Sequence, residues 1–132
     1  MMRYMLDTNI VSHLLKQHPV VTARVHALPM EALCISAVTE GELLYGLAKR
    51  PENKRLAHAV RELLLRLESI AWDSVAAKGY GLTRAAMEQL GSGIGNLDLL
   101  IAAHAVSIDA ILVSNDQVFS RVPNLQLQDW TG

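Results

Sequence analysis

The chain has 132 residues, a length typical of one domain with a single sizeable core. Hydrophobic residues make up 51% and charged residues 19%, which excludes a disordered chain, and no window approaches the 18 uncharged apolar residues of a membrane span. The net charge of -1 gives no bulk argument for binding nucleic acid, and the N-terminus lacks the apolar stretch of a signal peptide, so we expect one cytoplasmic domain over residues 1–132.

Short apolar runs alternate with helical patterns along the first half of the chain. Pro19 cannot continue the first predicted helix, and Pro51 separates the second from the third. Thr39 and Glu42 fit a capping box, with the threonine as the cap of the second helix. The elements predicted here are a strand over 3–6, a helix over 10–16, a strand over 33–36, a helix over 39–48 and a helix over 52–69.

The second half of the chain continues the alternation. Asp73 can cap a helix that the segment GSGIG (91–95) breaks, and Asn96 can cap the next one. That next stretch, LDLLIAAHAVSI, is small and apolar on most sides, which predicts a buried helix packed against a sheet. The predicted elements are a strand over 70–72, a helix over 73–90, a helix over 97–108, a strand over 110–113 and an edge strand over 125–128.

Strands alternating with helices predict a three-layer α/β/α sandwich with a mostly parallel sheet. In such sheets, ligands bind at the carboxyl ends of the strands. Asp7 and Asp116 each directly follow a predicted strand. Glu42 and Asp98 lie in the first turns of helices that begin at the same edge. We therefore expect these four carboxylates to converge.

Each acid also has a structural explanation when it is taken alone. Asp7 can start a helix, the helix dipole favours Asp98, and Asp116 can form an Asx-turn. Together they are harder to explain, because two carboxylates about 5 Å apart repel by roughly 3 kcal/mol at an effective dielectric constant of 20. Four of them would bind protons or recruit cations. Oxygen ligands favour magnesium or manganese over zinc, and such ions activate water for phosphodiester hydrolysis.

Other chemistries fit the same residues less well. Ser114 has no histidine at a telling spacing, and GSGIGN lacks both the third glycine of a dinucleotide loop and the lysine of a phosphate-binding loop. An aspartyl-phosphate mechanism at Asp7 would want a second acid where Asn9 stands. His104 falls on a different helical face from Asp98, and Cys34 lies in an apolar run. We interpret both as core residues without chemistry.

Two groups of residues on the predicted helices suggest contacts with other molecules. Six of the twelve basic residues lie within eighteen positions. They could form the solvated face of a helix or, if a nuclease site exists, contact the RNA backbone. Some of the apolar residues must cover the sheet, and others could form a groove for an amphipathic helix. The basic residues are Lys49, Arg50, Lys54, Arg55, Arg61 and Arg66, and the apolar residues are Leu14, Leu15, Leu43, Leu44, Tyr45 and Leu47.

Four segments together resemble a known family. They are MLDTNI (5–10), ISAVTEGELLYG (35–46), IGNLDLLIAAHA (94–105) and LVSND (112–116), the last followed by FSRVPNLQLQDW (119–130). In this order and spacing they resemble the PIN-domain ribonucleases and, within them, the VapC toxins of bacterial toxin-antitoxin pairs. The likeness spans nearly the whole chain.

The resemblance implies a magnesium-dependent endoribonuclease, with manganese as a substitute, that cuts structured RNA such as tRNA or rRNA. It also implies a cognate antitoxin, a homodimer and a higher toxin-antitoxin assembly. Three alternatives stay open: a PIN-like module that binds RNA without cutting it, a housekeeping RNA-processing nuclease, and a phosphatase. The family's four acidic positions match Asp7, Glu42, Asp98 and Asp116, its accompanying polar positions match Asn9 and Ser114, and the residues assigned to the RNA backbone are Lys49, Arg50, Lys54 and Arg55.

Overall fold

A computed structural model describes residues 2–132, with five strands in one sheet and helices on both of its faces. No helix in this part of the chain is long and apolar enough to cross a membrane. Two short 3-10 turns cover Met30–Ala32 and Gln117–Arg121. The longer elements are β1 (Tyr4–Leu6), α1 (Thr8–Leu15), α2 (Pro19–His26), β2 (Leu33–Ser36), α3 (Ala37–Lys49), α4 (Lys54–Arg66), β3 (Glu68–Ile70), α5 (Ser74–Gln89), α6 (Asn96–Ser107), β4 (Ile111–Val113) and β5 (Gln126–Gln128).

The strand order is β3-β2-β1-β4-β5, and every neighbouring pair is parallel. This confirms the predicted α/β/α sandwich. From β1 the chain winds outward to β2 and β3, and it then returns to place β4 on the other side of β1. In open parallel sheets, ligands bind in the crevice at such a reversal. Leu6 is in register with Val113, so β1 and β4 end side by side.

The alternation of side chains along each strand supplies two separate cores. On one face, Leu6 and Ile35 pack in a cluster with residues of α1 to α4 and with Trp130. On the other face, Met5 and Leu112 pack with α5, α6 and Phe119. Cys34 belongs to the second core and is fully buried, as predicted, and burial raises the pKa of its thiol to about 11.

Helices α1 and α4 start within two residues of their predicted positions, whereas the starts of α2, α3 and α6 differ in ways that have a structural reason. Helix α2 was not predicted, because Pro19 was interpreted only as a helix terminator. Pro19 occupies the first helical position of α2, where the N–H that proline lacks would have no partner in the helix. Helix α3 is capped by Ser36, whose hydroxyl accepts the N–H of Val38 at 3.1 Å, and Thr39 is buried inside the helix. Helix α6 has Gly95, not Asn96, at its cap.

The predicted bounds of α4 and β3 were also wrong. Helix α4 ends at Arg66, because Leu67 adopts an extended backbone that leads directly into the strand. Strand β3 therefore begins at Glu68, two residues before the predicted strand. The predicted cap of α5 is confirmed, because Asp73 accepts the N–H groups of Val75 and Ala76.

Candidate active site

Asp7 lies immediately after β1, where β1 and β4 end side by side. Its N–H donates to the carbonyl of Val113 at 3.0 Å, which ties it to the end of β4. Its Oδ1 accepts the N–H of Ile10 at 2.8 Å and so caps α1. The side chain is 3% exposed, and burial raises the pKa of Asp7 to about 6. Hydrogen bonds from Ser114 and Ile10 oppose this shift, and the nearby charges of Asp98 and Asp116 add to it.

Asp98 connects the four predicted acids electrostatically. It is half-buried in the first turn of α6, where the helix dipole favours a negative charge. Burial raises the pKa of Asp98, and the charges of Asp116 and Glu42 raise it further. Because Asp98 also raises the pKa of Asp7, it interacts with each of the other three acids.

Hydrogen bonds hold Glu42 and Asp116 at this edge of the sheet. Glu42 accepts a hydrogen bond from the Thr8 hydroxyl of α1 instead of reaching back to Thr39, so the predicted capping box is wrong. Asp116 forms the predicted Asx-turn, because its Oδ1 accepts the N–H of Val118 at 3.0 Å. Its own N–H donates to the Ser114 hydroxyl at 3.0 Å, so Ser114 contacts both the first and the last acid.

Among residues 2–132, no ion pair joins a basic side chain to the acids at this edge. The ion pairs found within residues 2–132 join Arg3 to Glu68, Arg66 to Glu62 and Arg84 to Glu88, so they include none of the four acids. A set of oxygen donors with excess negative charge fits a hard divalent cation such as magnesium. In that same stretch, no three His, Cys, Asp or Glu side chains stand close enough together to hold an ion. Binding would therefore require at least one carboxylate to turn toward the others.

The structure places the remaining predicted residues at different distances from the acids. Asn9 is exposed in the first turn of α1, two residues after Asp7. Arg66 pairs with Glu62 and lines a shallow depression with Arg3, which precedes β1 at the opposite edge of the sheet. The predicted RNA contacts are all exposed and surround the turn between α3 and α4, at Lys49, Arg50, Lys54 and Arg55.

Sequence reasoning missed Thr8, whose hydroxyl holds Glu42 across 34 residues of sequence. Its position beside Asp7 was the only signal, and adjacency does not reveal a partner on another helix. The interpretation of His104 as a core residue is confirmed. This side chain is 1% exposed, its Nδ1 lies 2.8 Å from the Ser36 hydroxyl, and burial lowers its pKa.

Comparison with known proteins agrees with this architecture. The chain matches the PIN domain family over residues 4–125. Ribonuclease VapC2 of Rickettsia felis is 38% identical over 134 residues, which cover 98% of each chain. The chain belongs to the VapC family of PIN-domain ribonucleases.

Other VapC proteins extend the comparison. The tRNA(fMet)-specific endonuclease VapC of Shigella flexneri is 34% identical, with 99% of this chain and all of the relative covered. The crystal structure of VapBC2 from Rickettsia felis bound to a promoter DNA fragment has a chain that matches with a TM-score of 0.90 and 37% identity, covering 98% and 99% of the two chains. PIN-domain ribonucleases are generally metal-dependent, which agrees with the oxygen-only set of side chains.

Proposed function

We propose that this chain is a magnesium-dependent endoribonuclease and the toxin of a toxin-antitoxin pair. One observation carries the metal dependence. Asp7 is 3% exposed, its pKa is raised to about 6 by burial and by two neighbouring carboxylates, and no described basic side chain forms an ion pair with it. A divalent cation would compensate this charge, and manganese would serve in place of magnesium.

The chain's own residues would bind and orient the reactants. Asp7 and Asp98 would hold the ion, with Glu42 and Asp116 completing the set. When bound, magnesium supplies an activated water and neutralises charge on the phosphodiester. Thr8 keeps Glu42 at this edge, and Ser114 orients Asp7 and Asp116. Exposed Asn9 would contact the substrate from the start of α1. None of these side chains has to transfer a proton.

The relatives support the proposed substrate class and partners. The Shigella relative is a tRNA(fMet)-specific endonuclease, and the matched Rickettsia structure is a VapBC complex bound to DNA. We therefore assign to this chain a structured RNA substrate, tRNA or rRNA. We also assign a cognate antitoxin, a homodimer within a higher toxin-antitoxin assembly, and a cytoplasmic location.

An open apolar groove between α1, α2 and α4 is suited to an antitoxin helix. Leu14 and Leu15 line it, as the sequence suggested, together with Leu63 and Met30. The residues expected from α3 lie elsewhere. Leu43 and Leu47 pack in the core, whereas Leu44 and Tyr45 are exposed and do not line this groove.

The test is a cleavage assay with purified protein and structured RNA. Chelation should abolish cleavage, magnesium or manganese should restore it, and calcium should support it poorly because its longer, looser coordination disturbs in-line geometry. The products should carry 5′-phosphates and 3′-hydroxyls, because water would attack the phosphorus and the 3′-oxygen would leave and take up a proton. Activity that survives chelation, or products with 2′,3′-cyclic phosphates, would contradict the proposal. A generic phosphate monoester tested in parallel would reveal a phosphatase, and RNA binding without cleavage would favour a non-cutting module.

A further inference from the structure

One face of α3 carries an unusual combination of side chains. Tyr45 and Lys49 lie three and seven residues after Glu42, which places all three on one stripe of the helix. Tyr45 is 63% exposed, and the ammonium of Lys49 lies 4.6 Å from the centre of its ring. The stripe thus joins an acid of the candidate site to an exposed aromatic ring and a cation.

We propose that Tyr45 stacks against a base of the RNA substrate and that Lys49 binds the adjoining phosphate. This inference rests on the proposed nuclease function and adds to it the residue that holds a nucleotide beside the acids. Stacking on an aromatic ring and neutralisation of the backbone are the two interactions by which proteins hold unpaired nucleic acid. Both groups are present on this stripe.

The spacing along the helix suits one nucleotide. At a rise of about 1.5 Å per residue, Tyr45 lies roughly 4.5 Å beyond Glu42 and Lys49 roughly 10 Å beyond it. A base on Tyr45 would therefore lie next to the acidic edge. Its backbone would continue past Lys49 toward exposed Arg50 and Lys54 at the end of the helix.

RNA fits this stripe better than a second protein surface does. Lys49 forms none of the ion pairs present in residues 2–132, so a protein contact that covered Tyr45 would bury this ammonium at a cost unless the partner brought a carboxylate to it. A phosphate would neutralise it. Leu44, the exposed apolar neighbour, points about 100° around the helix from Tyr45, so the ring does not belong to a continuous apolar patch with it.

Binding can be separated from cleavage in an Asp98→Asn background, with a short unstructured RNA oligonucleotide followed by fluorescence anisotropy. Tyr45→Leu, which keeps an apolar side chain but removes the ring, should weaken binding about tenfold, while Tyr45→Phe should retain it. Leu82→Ala removes a comparably exposed apolar side chain on α5, at 68% exposure, and should have no effect. Single nucleotides of the oligonucleotide can then be replaced by abasic ones. At one position, removal of the base should weaken binding by the protein that carries Tyr45. The same removal should not weaken binding by the Tyr45→Leu variant.

Unchanged binding and cleavage in Tyr45→Leu, with a wild-type protein that cuts RNA, would overturn the subsite and leave the nuclease proposal standing. Ring-dependent binding by a wild-type protein that never cuts would support the subsite and contradict the nuclease. Light scattering on the same variants identifies a protein contact. If Tyr45→Leu and Tyr45→Phe both dissociate a dimer and RNA affinity falls equally in both, the tyrosine side chain serves a contact with a second copy and the proposal is overturned.

Discussion

Asp7 caps a helix, and this structural role is compatible with the metal-binding role that we propose for it. Its Oδ1 accepts the N–H of Ile10 and fixes the start of α1, which leaves the second carboxylate oxygen outside the cap. Capping and metal binding are therefore compatible in the same residue. Because the carboxylate is buried beside Asp98 and Asp116, the fold is destabilised by the charge that a metal site needs.

Replacing Asp7 by asparagine should therefore stabilise the metal-free protein, because asparagine is an equally good cap and carries no charge. The pKa of Asp7 is raised from 3.8 to about 6 on folding, which corresponds to a penalty of about 3 kcal/mol when the group is ionised. The folded state holds the proton more tightly than the unfolded state. The penalty is thus absent below about pH 4, grows as pH rises through about 6 and is complete above it.

Urea unfolding in EDTA at several pH values measures this effect. The advantage of Asp7→Asn over the wild type should be largest near neutral pH and should disappear in acid. Saturating magnesium should reverse the order, because only the wild type gains binding energy. An Asp7→Asn protein that is less stable than the wild type in EDTA at neutral pH would show that the carboxylate is stabilised by a partner.

Asp98→Asn should remove RNA cleavage while leaving the fold intact, because Asp98 is the carboxylate that interacts with the other three. We expect a loss of at least about 100-fold, the scale on which single charge-stabilising groups act. Asp109→Asn is the matched control. Asp109 is an exposed acid just beyond α6 with a φ of 55°, a conformation that asparagine tolerates, and its replacement should leave cleavage unchanged. Wild-type rates in Asp98→Asn would contradict the site.

The acids themselves could be predicted from sequence, because strand ends and helix starts show which side chains reach one sheet edge. Their second contacts could not be predicted. The bond from Thr8 to Glu42 joins two helices, and only the packed structure brings these residues together. The capping box predicted at Thr39 does not form, because Glu42 accepts the hydrogen bond of Thr8 on another helix instead.

At the scale of elements, α3 and α6 are joined beneath the site. The Ser36 hydroxyl caps α3 and lies 2.8 Å from Nδ1 of buried His104 in α6. These two helices carry Glu42 and Asp98, so this contact helps to fix the positions of both acids. Sequence periodicity predicted both helices but not their first residues, because Ser36 caps α3 from the end of the preceding strand and Gly95, at the cap of α6, has no side chain to signal it.

The turn between α3 and α4 provides a test of RNA contact. Replacing Lys49, Arg50, Lys54 and Arg55 by glutamine should raise the apparent Michaelis constant and flatten the salt dependence of binding, because each lost phosphate contact removes a slope of roughly 0.7 to 0.9. The maximal rate should change less, because these residues lie away from the acids. Lys16→Gln with Lys78→Gln removes exposed charge from other helices as a control. If both variants bind and cleave RNA equally well, the turn between α3 and α4 is only a solvated surface.

At the scale of the whole molecule, the candidate site is assembled from both halves of the chain. Asp7 and Glu42 precede β3, whereas Asp98 and Asp116 follow it. The alternation of strands and helices predicted the parallel sandwich, because strands that alternate with helices pair in parallel through helical crossovers. It could not predict on which side of β1 the fourth strand would pair, since hydrophobic patterns do not encode strand order.

The proposed pairing with an antitoxin predicts how expression of this chain affects cell growth. Expression of the chain alone should arrest growth, and a small protein encoded beside it should restore growth and co-purify with it. Met30→Glu places a charge in the groove at a side chain that is already 42% exposed, so it should prevent this rescue without affecting RNA cleavage. Leu65→Glu, on α4 but outside the groove, is the control. Harmless expression of an active enzyme would favour a housekeeping nuclease.

The pairing of β4 with β1 also determines when the proposed active site can be completed during synthesis. During synthesis, β1, β2 and β3 emerge first, and β1 remains an uncovered edge until residues 111–113 arrive to pair with it. Asp116 follows immediately, so the acidic edge is incomplete on every shorter nascent chain. The groove that involves α1, α2 and α4 is built entirely from the part made earlier. An inhibitor could therefore engage the growing polypeptide before its last carboxylate has been translated.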